Sequence, residues 1–62
     1  MTNSDIQAFA AGWAAQAIRD ALPSEIDFAE TDLRPAEHSA VIRELERLAN
    51  QLLAEALRLE AL

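Results

Sequence analysis

The sequence predicts an all-α fold: a helical hairpin, two helices with a long joint, that self-associates into a four-helix bundle. Three observations predict it. A capped, alanine-rich segment stops at Pro23. A second, longer segment carries a wide leucine stripe at helical spacing. Between them lies PSEIDFAETDLRP, which matches neither pattern and exceeds what a tight turn needs. The 62 residues form one domain, read as helix 1 over about 4–22, joint over 23–34 and helix 2 over about 35–61.

Helix 1 is expected to start at Ser4. SDIQ places Ser at the N-cap and Gln7 three residues on, a capping-box spacing, and Asp5 suits the positive end of the helix dipole. The helix stops near Leu22 because Pro23 disfavours helical geometry at the residue before it. Ile6, Phe9, Trp13 and Ala17 recur at 3–4 spacing and define its apolar face. Ala10, Ala14 and Ala21 extend that face, and Ile18 and Leu22 edge it. Asp5, Gly12, Gln16 and Arg19 lie opposite. Phe9 and Trp13 are one turn apart, a pairing that reads as core or as the anchor of an interface.

The joint alternates Ile26 and Phe28 with Glu25, Asp27 and Glu30. In an extended segment the two apolar side chains share one face and the acids the other. Two readings follow: a lid folded over the open end of the bundle, or a docking segment for another protein. Ile26, Asp27, Phe28 and Glu30, with His38, are the candidate partner-binding residues.

Helix 2 begins around Asp32 to Pro35, with Asp32 as N-cap and proline tolerated in the first turn. Nothing after Pro35 breaks a helix, giving roughly 27 residues or ~40 Å. Heptads counted from the C-terminus place His38, Val41, Leu45, Leu48, Leu52, Glu55, Leu59 and Leu62 on one seam. Ile42, Ala49, Leu53, Ala56 and Leu57 widen it to the breadth of a helix with two neighbours. Glu44 and Arg47 pair at i,i+3 spacing on the far side, and Arg58 of that side is spaced to reach Glu55 in the same way. His38 reads either as a pH-sensitive group in the seam or as a helix-end ring whose nitrogens meet water or the joint's carbonyls. Glu55 marks a rotation of the stripe or a polar register-setter.

Chains this short rarely build a sufficient core alone. There is no cysteine and one histidine, so neither disulfides nor a zinc cage supply the missing stability. Helix 1 is too short to cover helix 2, and leaving four or five leucines in water forfeits ~1.5–3 kcal/mol each. A homodimer is therefore expected, with Phe9, Trp13, Val41, Leu45, Leu48, Leu52 and Leu59 in its interface.

The charge of −6 comes from eleven acids against five arginines, which disfavours nucleic acid and anionic membrane as partners. A protein with a basic surface remains compatible. No apolar run reaches membrane-spanning length, and the N-terminus lacks the basic start of a secretory signal, so a cytoplasmic location is expected. No catalytic grouping, phosphate-cradling loop or calcium-ligand spacing occurs; no enzyme, cofactor or metal is expected. The sequence thus points to a small acidic protein–protein interaction module, a regulator or adaptor that dimerises and binds a larger protein, with inhibition of that protein as one form the regulation could take. A structural docking or assembly module is the alternative, followed by an accessory enzyme subunit.

Overall fold

The computed structural model describes residues 2–61, so Leu62 of the expected seam lies outside the described residues. Of the described residues 80% are helical, and none forms a strand. Its helices are α1 (Asn3–Asp20), α2 (Glu25–Phe28) and α3 (Pro35–Glu60).

The cap of α1 sits two residues earlier than expected. Thr2, not Ser4, is the N-cap: its hydroxyl accepts from the Asp5 N–H at 3.2 Å, and the Asp5 carboxylate accepts from the Thr2 N–H at 3.1 Å. The same three-residue spacing recurs at both sites, and a carboxylate is a stronger acceptor than the neutral Gln7 amide. Those bonds from Thr2, backbone first, hold the Asp5 carboxyl below its usual range. At the other end α1 closes on Ala21.

The face of α1 that meets α3 is the reverse of the one expected. Ala8 and Ala15 are buried, and Ser4, Ala11, Ile18 and Leu22 are half-buried. These positions keep a strict 4–3 spacing along one side of the helix. Ile6, Phe9 and Trp13 lie on the opposite side, 53%, 67% and 70% exposed. Small side chains let two helix backbones approach along their whole contact. Phe9 or Trp13 in the same places would hold them apart.

The seam of α3 is likewise rotated. Its covered positions are His38, Ile42, Leu45, Ala49, Leu52, Ala56 and Leu59, with Val41 at the margin. Ala49 and Ala56 thus replace the expected Leu48 and Glu55. Glu55 does not interrupt the seam; it stands outside it, bonded to Arg58.

Arg19 donates to the Asn50 side chain, which fixes the end of α1 near the middle of α3. Burial of Ala56 and Leu59 then requires α1 to start beside the C-terminal end of α3 and run back towards its middle, antiparallel to it. From Asn50 the chain must travel back about 22 Å along α3 to reach Pro35. That distance is why the joint is long. It is a strap over the half of α3 that α1 does not reach.

The strap is not extended. Ser24 donates from its backbone N–H to Asp27 Oδ2 at 2.7 Å and from its hydroxyl at 3.1 Å, opening the single turn of α2. A helical turn sends residues two apart to different sides. Phe28 is therefore buried at 7% exposure, whereas Ile26 is 82% exposed. At the start of α3, Arg34 rather than Asp32 occupies the N-cap, Pro35 is the first helical residue, and the Glu37 carboxylate accepts the Arg34 N–H at 3.0 Å.

Gly12 is a half-buried helical residue, and a Cβ built there meets nothing within 4 Å. Gly12→Ala should therefore add about 0.5–1 kcal/mol by restricting the unfolded chain, raising the melting temperature by roughly 4 °C in a circular dichroism scan. An unchanged or lower midpoint would reveal a neighbour pressed against that side of α1.

Candidate interaction surfaces

Three surfaces follow from this arrangement. The first is the outer ridge of α1. The Phe9 and Trp13 rings stack at 6.2 Å with 22° between planes, as i,i+4 residues on one helix face do. Ile6 continues the ridge one turn earlier. Beyond Trp13 the helix offers a cavity of about 210 Å³ lined by Trp13, Gln16, Ala17 and Asp20. Gln16 donates to Asp20 Oδ1 at 2.9 Å across its rim.

The second surface is the strap. Phe28 stacks on His38 with ring centroids 4.2 Å apart and planes 6° from parallel. His38 Nε2 lies 3.0 Å from the Leu33 carbonyl; since a carbonyl only accepts, Nε2 carries the proton. Both rings thus fasten the strap to the first turn of α3. Asp27 is occupied by Ser24. Of the five residues assigned to partner binding, Phe28, His38 and Asp27 hold the strap together, and Ile26 and Glu30 face outwards. Glu25, Glu30 and Asp32, close to Ile26 in sequence, are exposed as well.

The third lies along one flank of the helix pair, where Ile18, Leu48, Gln51, Leu52 and Glu55 line a cavity of about 400 Å³. Hydrogen bonding from Arg58 holds the Glu55 carboxyl below its usual range, and Arg47 does the same for Glu44. Both pairs are largely exposed, where ion pairs contribute little.

The residues assigned to the dimer interface separate into two groups. Phe9 and Trp13 are exposed, and Leu48 is 37% exposed on the flank. Val41, Leu45 and Leu52 are half-buried within the chain, and Leu59 is buried at 8%. Leu59 is spent on α1, and an interface reaching it must first open the pair. Ile6 and Leu57, the latter 59% exposed, are apolar surface that the sequence pattern had assigned to packing faces. The competing 4–3 spacing of alanines in α1 was the available signal.

No helix among the described residues is long and apolar enough to cross a membrane, and no cluster of three or more metal-ligating side chains occurs among them. No protein-family model, curated protein or solved structure matches the chain.

Proposed function

We propose that the chain is a small acidic protein–protein interaction module, a cytoplasmic regulator or adaptor that self-associates as a helical hairpin into a four-helix assembly and docks on a larger protein. The observation that carries the reading is unmet apolar surface. Ile6, Phe9, Trp13, Ile26 and Leu57 are each more than half exposed in a 62-residue chain. Scattered exposed leucines are ordinary on a protein surface, but a contiguous apolar ridge that includes the only Trp is the signature of an interaction site.

Two separate places serve the two contacts. The α1 ridge is long and uncharged along its crest and serves self-association. Ile26, exposed on the strap that Phe28 and His38 fasten, serves the larger partner. A single apolar side chain among carboxylates fits an apolar pocket with a basic rim.

The test is retention of a partner by immobilised full-length chain from a native lysate, compared with Ile26→Arg/Glu30→Arg. The expected result is a stoichiometric larger protein held by the wild type and lost from the variant, with helix content and solution mass unchanged. Retention that ignores both substitutions, or retention of nothing but further copies, overturns the adaptor reading. The second outcome favours an assembly module.

A further inference from the structure

We infer that two copies of this chain pair through the outer faces of α1, antiparallel, with Phe9 of each against the partner's Trp13 and Ile6 of each in the cavity beyond it. The inference rests on the self-association in the reading above and names its surface, direction and register.

The first support is area. A folded monomer of 6.8 kDa exposes about 4,000 Å², whereas this chain exposes 4900 Å². The difference is near the ~800 Å² per partner that a stable interface buries. The shape agrees: the radius of gyration is 14.5 Å against about 11 Å for a compact domain of this length. Pairing along the long sides of two such rods removes the excess.

The second support is self-complementarity. A two-fold interface requires that a surface carry both the projection and the recess that receives it. On α1 the projections are Ile6 and Phe9, and the recess is the cavity lined by Trp13, Gln16, Ala17 and Asp20. An antiparallel partner centred midway between Phe9 and Trp13 brings the partner's Phe9 to Trp13 and the partner's Ile6 to Gln16 and Ala17. Each chain gives and receives the same side chains. A parallel partner sets Phe9 on Phe9 and leaves the recess facing its own copy.

Two charged variants separate the directions. Phe9→Glu and Trp13→Arg, each alone, should weaken the dimer on the order of 100-fold or more, since every substitution enters the interface twice and aromatic anchors dominate such contacts. Sedimentation of each at micromolar concentration should give a single-chain mass. Mixing the two should restore a dimer. In an antiparallel pair the new Glu meets the new Arg while the remaining Trp13 meets the remaining Phe9; in a parallel pair neither match forms. If a variant also loses helix content, recovery of helicity on mixing reports the same pairing. A wild type that sediments as one chain at micromolar concentration overturns the inference, as do single variants that remain dimeric and a mixture that stays monomeric. Dimers that persist in both variants leave partner docking at Ile26 untouched, so the two readings fail separately.

Discussion

Phe28→Ala should remove about 3–4 kcal/mol of stability, the usual cost of deleting a buried aromatic side chain. Phe28 is the only large apolar residue that the strap buries, and its ring lies flat on His38. Without it the strap keeps the Ser24–Asp27 turn and the His38–Leu33 contact, both exposed to water. A domain of this size rarely holds more than 3–5 kcal/mol in its core, so the variant should be largely unfolded at 25 °C unless pairing rescues it. Ile26→Ala, two residues away, should change stability by less than ~0.5 kcal/mol, because Ile26 is already in water. Urea titrations followed by circular dichroism measure both. Equal costs for the two substitutions would show that the strap is not held by Phe28.

The second large effect comes from adding atoms. Ala49 is 0% exposed, in the middle of the α3 seam, and Ala15 is 2% exposed on α1. Ala49→Leu inserts three heavy atoms where two backbones approach each other, and overpacking of this kind costs about 1–3 kcal/mol or more. The melting temperature should fall by roughly 10 °C in a domain this small. Leu48→Ala, one residue earlier and one-third exposed, should cost less despite removing apolar surface. The order of those two midpoints decides the matter. A greater loss from Leu48→Ala would return the seam to the register that leucine spacing alone suggests.

That register shows what could and could not be read from the sequence. Helix boundaries were legible, because Pro23, Pro35 and polar residues at three-residue spacing act locally. The inward faces were not. On α1 two apolar stripes run on opposite sides, one of alanines and one of Ile6, Phe9 and Trp13. Hydrophobicity favours the larger stripe, whereas close packing of two helices favours the smaller. On α3 the same competition moved the seam from Leu48 and Glu55 to Ala49 and Ala56. The single turn of α2 was written in Ser24 and Asp27, a capping spacing masked by the alternation of Ile26 and Phe28. The length of the strap needed the meeting of Arg19 and Asn50, a contact thirty-one positions apart that no local pattern encodes.

The two sides of α1 stand under different physical constraints. Alanines facing α3 are constrained by the chain's own folding, and almost any enlargement there is punished. The outward residues bear none of that burden, so exchanging them leaves the contact between α1 and α3 as it is. A helix divided in this way can acquire new attachments through a few surface changes while its scaffold stays as it was.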